Sequence, residues 1–531
     1  MCNINRLRKA RLIEQQERGI MATQALKSPQ QMSAPRPKVL LLWLPFCAML
    51  AFYSLLVWDA GYRQLPINAD PAEAHLLDKV EAAGNRGAPY REVAGDAMRA
   101  YPLWNNLTAM ATGTRFGFGS NGNTDPVRYY STMTPVQKSV LSLHMVLGGL
   151  LLILGIFQFT PGFRKKHRKA HRAIGGVYIL SCYTMAFAAM YHLVHTGIAN
   201  TYQGFAFHIQ LWFLAASTVL AQTLAIIFLK RRNIALHLGF QIYTFMAFLN
   251  APIQRLDWVV FGAIYPHLTQ GEVNNLVNIL TFWQCLLIGY AVFAWNRASC
   301  PVRREPVVLQ PQPIAFKVLV GLAAGAATAT SLAMYMSQPG LGGWSAARAI
   351  APASTLAADA MLYAGRPLQT AAFGLILCAA ILSGVWLMIR NEHSRRARQL
   401  FYASAIAAGL QQLVWGWQLG EPSMAVTAGG GFYSVSGLSL AGFALLALHF
   451  QLRGNERLWR EAMVFAVNFA FAPVLLLWGH VLWQALDVIP AYYVARGHGY
   501  VLAAGAAILT PTFTGFVRMM SSRETRARLI S

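Results

Sequence analysis

The chain has 531 residues, 56% of them apolar and 12% charged, with a formal net charge of +24 and a mean hydropathy of +0.40. A soluble domain carries about 25% charged residues, so a soluble enzyme is a poor match. The excess of base does not suggest nucleic acid, because it falls in short clusters between apolar blocks, the pattern of positive-inside topology.

Residues 1–38 form a basic segment, with Arg6, Arg8, Lys9, Arg11, Arg18 and Lys27. The first apolar run, 39–58, is too long for the core of a signal peptide and lacks a small-residue cleavage site, so it reads as an uncleaved span. An external loop, 59–135, balances acids against bases and contains YPLWNNLTAMATGTRFGFGSNGNTDP. Its Gly, Asn and Thr content predicts order through turns, if any. Apolar blocks then recur at 136–159, 172–195, 205–229, 236–256 and 274–295. After a basic linker at 296–314 they recur at 315–336, 369–389, 400–419, 432–450, 461–485 and 498–517. Each is about 20–25 residues, the length of helix that crosses a hydrocarbon core. The alternating short segments of a β-barrel do not occur, and lipid then requires each backbone to satisfy itself as helix.

The expected fold is therefore an all-α polytopic membrane protein of about twelve transmembrane helices. Every second connection is basic, from PGFRKKHRKAHR to the tail at 519–531. That places both termini in the cytoplasm and the chain in a bacterial inner membrane. The halves 39–295 and 315–518 look alike: each has one span, a longer outer loop and five closely spaced spans. FLNAP at Ala251-Pro252 and FAFAP at Ala472-Pro473 fall at matching places. This predicts a 6+6 internal repeat, a common membrane plan. The six cysteines form no CxxC or CxxCH motif, which argues against a disulfide scaffold or covalently attached haem.

The chemistry-bearing residues concentrate in the core at 136–256. His144 lies inside the second span, His208 near the outer start of the fourth, and His171 and His237 at the inner starts of the third and fifth. An ionisable residue within a span is a functional candidate, and imidazole is a standard axial ligand of haem iron. Matched depth pairs His144 with His208 and His171 with His237. These are two candidate sites for haem b on a four-helix bundle, with the haem iron as the metal. The rival reading makes His171 and His237 interfacial residues facing phospholipid. Zinc or copper on His192, His195, His208 and His267 is another alternative. Gln254, Arg255 and Asp257, at the outer edge of the fifth span, are candidate contacts for an anion or quinone, or else an interfacial Arg255–Asp257 pair.

LHMVLGGLLLILGIFQF, HRAIGGVYIL, LWFLAASTVLAQT and LHLGFQIYTFMAFLNAPIQRL, within 144–257, resemble an uncharacterised bacterial family of predicted membrane proteins of unknown function. That pattern falls here on His144, His171-Arg172-Gly175 and His237. The layout is also similar to the four-helix core of transmembrane diheme cytochromes b, in which ligands join first to third and second to fourth helices. This resemblance implies electron transfer through b-type haem, with quinone or a redox protein as partner. A secondary transporter or a non-catalytic scaffold, docking through the 59–135 loop, remains open. No nucleotide motif, Ser-His-Asp arrangement or HExxH occurs.

Overall fold

A computed structural model describes residues 37–68, 74–122, 124–299, 313–337, 339–390, 394–423 and 427–521, with side chains from residue 41. Most of the expected 1–38 segment, 296–314 linker and 519–531 tail lies outside the described residues. Two compact units divide at Cys47. The first contains, among the described residues, only the opening of helix α1 (Pro37–Arg63), and everything that follows concerns the body from Ala48 onward.

Five short helices succeed α1: α2 (Ala74–Asn85), α3 (Tyr90–Ala100), α4 (Leu103–Thr112), α5 (Thr114–Phe118) and α6 (Thr124–Thr132). The expectation of turns over 59–135 is therefore corrected. Apolar residues recur there at helical spacing, as in Val93, Ala97 and Ala100 along α3, all buried. They close a small core with Leu77, Val80, Tyr101 and Phe118. Gly117 belongs to this packing, since a Cβ there would stand 2.4 Å from Ala109 Cβ. Asp59 of α1 ties the domain down: its Oδ2 accepts from the Leu103 backbone N–H at 2.8 Å, and Arg63 reaches the Met98 carbonyl.

The long helices follow: α7 (Pro135–Phe159), the short α8 (Pro161–Lys166), α9 (Arg168–Thr196), α10 (Phe205–Lys230), α11 (Ile234–Ile264) and α12 (Gln270–Ala298). Capping boxes at Thr134–Gln137 and Thr269–Glu272 satisfy the first turns of α7 and α12, which is why these helices begin where they do. Beyond the linker come α13 (Ile314–Leu332), α14 (Ser345–Ile350), α15 (Ala353–Met361), α16 (Pro367–Arg390), α17 (Arg395–Leu419) and α18 (Gly431–Leu452). The chain then forms α19 (Glu456–Ala470), α20 (Ala472–Leu486), α21 (Ala491–Val494) and α22 (His498–Ser521).

Among the described residues ten helices are long and apolar enough to cross a membrane. The pair α19 and α20, bent by 49°, makes an eleventh crossing if counted as one span. The bend falls at Phe471, just before Pro473, whose missing N–H suits the first turn of a new helix. Its sequence counterpart Pro252 stands inside an unbroken α11. The expected ninth span is α17, a full 25 residues. Gln411 and Gln412 lower its apolarity, and it falls outside the ten.

Helices α7, α9, α10, α11 and α12 pack in chain order, and α11 returns onto α7. Helices α16 to α19 pack in the same order, and α19 returns onto α16. The turn entering α11 and the turn entering α19 are built alike. Arg232 and Gly454 have φ of +55° and +64°, and Asn233 and Asn455 each accept from the backbone three residues on. In both turns the asparagine N–H bonds to a phenylalanine carbonyl, Phe228 or Phe450, at 2.8 and 2.9 Å. Gly155 of α7 meets Phe245, and Gly384 of α16 meets Val467, so each glycine admits a residue of the returning helix. The two regions are joined through a buried ion pair, Arg297 Nη1 to Glu461 Oε1 at 2.8 Å, with Tyr290 donating to the same carboxylate.

Candidate functional site

A cavity of about 330 Å³ lies among α1, α7, α9, α10, α11 and α12, at the end where α2–α6 sit. Its volume is in the range of small-molecule sites. Most of the wall is apolar, with a few polar side chains: His144, His192, Gln210, Asn250, Gln254, Arg255 and Asn278. Trp104 of α4 and Tyr130 of α6 complete it, so the short-helix domain contributes part of the wall.

Of the residues expected from sequence, His144, Gln254 and Arg255 line this cavity, whereas His208, His171, His237 and Asp257 do not. His144 Nδ1 lies 3.1 Å from the Met185 carbonyl on the neighbouring helix. That contact makes Nδ1 the donor and leaves the Nε2 lone pair for a ligand. His192 stands on the same wall, its two nitrogens 3.3 and 3.4 Å from Thr196 Oγ1. Such a contact is weak. His208 has both nitrogens engaged: Nδ1 meets Thr201 Oγ1 at 2.8 Å, and Nε2 accepts from Trp212 Nε1 at 3.0 Å. The cavity thus brings His144 together with His192, and His208 faces its own loop.

His171 and His237 stand in the first turns of α9 and α11, at the end away from the cavity, and His171 lies in the field of His237. His237 Nδ1 is 2.9 Å from the Ala225 carbonyl, while His171 Nδ1 is buried with no hydrogen-bond partner among the described residues. Gln158 donates to the His171 carbonyl at 3.1 Å.

The Arg255–Asp257 pair expected as one alternative does not form. Successive residues two apart point to different faces of a helix. Arg255 turns toward the cavity beside a pair of touching indoles, its guanidinium carbon 5.4 Å from the Trp104 ring centre and 5.0 Å from that of Trp258, with the two ring centres 5.6 Å apart. Its Nη1 donates to Gln254 Oε1 at 2.9 Å. Asp257 turns toward α12, where its Oδ1 accepts from Gln284 at 3.0 Å. It is buried because α11 runs on to Ile264, two turns past the expected end of the fifth span.

Tyr130, outside the spans, has its hydroxyl pushed above the ordinary phenol range by burial, an effect partly opposed by the Arg255 charge. The cavity therefore lies in the field of Arg255. Sequence reasoning missed Trp104 and Tyr130, which lay in a segment read as turns. Asn250 and Asn278 were visible as polar residues within spans, the signal that marks functional positions. Among the described residues no group of three or more His, Cys, Asp or Glu could hold a metal ion, and His267 instead meets Glu421 at 2.8 Å.

Residues 141–295 match a family described as predicted membrane protein (DUF2306). The match covers under a third of the chain and runs from within α7 to the end of α12, further than the expected 144–257. It contains all of the cavity wall except that from α1, α4 and α6. No curated protein and no solved structure matches the chain.

Proposed function

We propose that the first half of the chain is a membrane-embedded electron-transfer module that holds b-type haem in this cavity, where His144 would bind its iron. The observation that carries the reading is the setting of His144, on a cavity wall among six helices, with Nδ1 anchored on a backbone carbonyl. Metal-bound histidines are oriented in this way through their other nitrogen. The surroundings suit the group: an apolar wall for a macrocycle, Gly148 with open space beside it, and His192 as a second imidazole. Haem when bound supplies one-electron chemistry. The chain's part is to orient His144 and to keep water out with the helices and with Trp104 and Tyr130.

His171 and His237 are a second candidate pair at the other end of the same helices, supported by His171 Nδ1, which is buried and has no hydrogen-bond partner among the described residues. Sites at both ends would pass an electron across the bilayer, with quinone or a redox protein as partner. The basic connections favour cytoplasmic termini in a bacterial inner membrane. The matched turns at Asn233 and Asn455, the paired Gly155 and Gly384, and the length of α17 support twelve crossings in a 6+6 plan. Visible absorption of the reduced, purified protein tests the haem reading. Soret and α bands are expected, with the contribution of the site in this cavity lost in His144→Ala. Absence of both bands and failure to take up added haemin would overturn it.

Asp257 supports a second reading, a proton-coupled secondary transporter. It is a buried acid in a span, with no cation within ion-pair distance among the described residues. Proteoliposomes loaded with a pH-sensitive dye test this. Solute-dependent proton movement that is lost in Asp257→Asn supports transport. Proton movement unchanged by that substitution removes the reading.

A further inference from the structure

We infer that Arg255 is the anion subsite of the cavity and that the ligand is a slender or flat apolar molecule ending in a carboxylate. A guanidinium stays protonated and offers five N–H donors, and an unpaired charge within a bilayer is costly. Arg255 nevertheless stands nine residues, or about 14 Å, before the end of α11. Among the described residues no carboxylate lies within ion-pair distance of it, and the nearby acid Asp257 is turned to Gln284.

The site is built rather than incidental. The guanidinium lies against the paired indoles of Trp104 and Trp258, a contact that offsets part of the cost of holding its charge at this depth. Asn274 Oδ1 accepts both from Trp258 Nε1 at 3.0 Å and from Gln254 Nε2 at 3.1 Å. Gln254 in turn accepts from Arg255. One asparagine thereby fixes both the indole face and the amide that orient the guanidinium. The remaining donors suit a bidentate carboxylate, and the largely apolar wall suits the body attached to it.

Two ligands carry this chemistry: the propionate of haem, which rests on the haem reading above, and a fatty-acid carboxylate, which does not. The test uses the full chain in nanodiscs, as wild type, Arg255→Gln and Arg255→Lys. Haemin and haemin dimethyl ester are titrated by visible absorption, and palmitate and methyl palmitate by calorimetry.

For at least one pair, Arg255→Gln should weaken binding of the acid about ten- to a hundredfold and leave the ester unchanged. Arg255→Lys should retain part of the preference, because a lysine keeps the charge but not the fork. Ester binding shows that the variant is folded. If neither haemin compound binds but palmitate depends on Arg255, the haem reading falls and the subsite stands. If acid and ester bind wild type equally in both pairs, or Arg255→Gln weakens both members of each pair alike, the inference is overturned.

Discussion

The region 135–298 and the region 367–521 pack their helices in the same order, yet one encloses a cavity and the other a plug of aromatic rings. His144 and Phe373 each stand eleven residues before a glycine, Gly155 or Gly384, that receives the returning helix. Eleven residues make three turns, so each side chain lies on the same helix face as its glycine. His144 lines the cavity. Phe373 is buried against Trp415, with ring centres 4.4 Å apart, and against Tyr335 at 4.8 Å. Tyr363 and Tyr433 complete that cluster around Trp415. The same packing order thus surrounds either a hollow or a filled centre, and side chains from outside it, Trp104 and Tyr130 on one side and Tyr335 and Tyr363 on the other, take part in each.

The largest expected effect tests the filled side. Phe373→Ala should cost about 3–5 kcal/mol, as for a buried phenylalanine, read as a fall in midpoint by thermal unfolding in detergent. His144→Ala, on a cavity wall, should cost far less. Equal losses would break the contrast between plug and cavity.

The joint between the regions should respond on a similar scale. Glu461→Gln leaves Arg297 buried beside a neutral amide, and breaking a buried pair in this way costs about 3–5 kcal/mol. The expected signature is earlier separation of the two regions, measured by limited proteolysis of the connection between α12 and α13.

A smaller effect comes from making the hollow side resemble the filled one. Gly148 lines the cavity, and among the described residues an added Cβ would meet nothing within 4 Å beyond its chain neighbours and its own helix backbone, whereas a Cβ on Gly149 would stand 2.5 Å from Trp58 Nε1. Gly148→Leu should therefore fill the cavity at little cost in stability and abolish ligand uptake. Gly149→Ala should cost about 1–3 kcal/mol through overpacking. Unaltered haemin uptake in Gly148→Leu would show that the ligand lies elsewhere.

The smallest effect concerns the loop beside the aromatic plug. Asp359 accepts from the Leu341 backbone at 2.7 Å and from the Tyr433 hydroxyl at 2.8 Å. Burial still holds its carboxyl above the ordinary carboxylate range. A raised folded-state value means that the folded loop binds the proton more tightly than the unfolded chain. Stability should then fall as pH rises from the unfolded value through the folded one, and acidification should recover it. Asp359→Asn should flatten that dependence of the melting midpoint, and a slope identical to wild type would contradict it.

Block length and apolarity determined that this chain is a helical membrane protein. Backbone groups in lipid have no other partners, so about 20 apolar residues dictate a helix whatever surrounds it. The capping residues Thr134, Asn233 and Thr269 are equally local, and the starts of α7, α11 and α12 were legible within a few residues. The richness of the first half in histidine was legible too.

Only the tertiary structure decided which of those histidines share a space. Position along a span sets depth but not the direction a side chain faces. Depth alone paired His144 with His208, while Thr201 and Trp212 turn the His208 ring to its own loop and His192 comes to the cavity instead. Arg255 and Asp257 stand two residues apart in sequence and are separated by the turn of one helix. The domain at 74–132 was obscured because its helices are short and mixed in charge, and their apolar faces find partners in one another and in the long helices that follow. Contacts of that kind depend on assembled neighbours, which no single segment of the sequence contains.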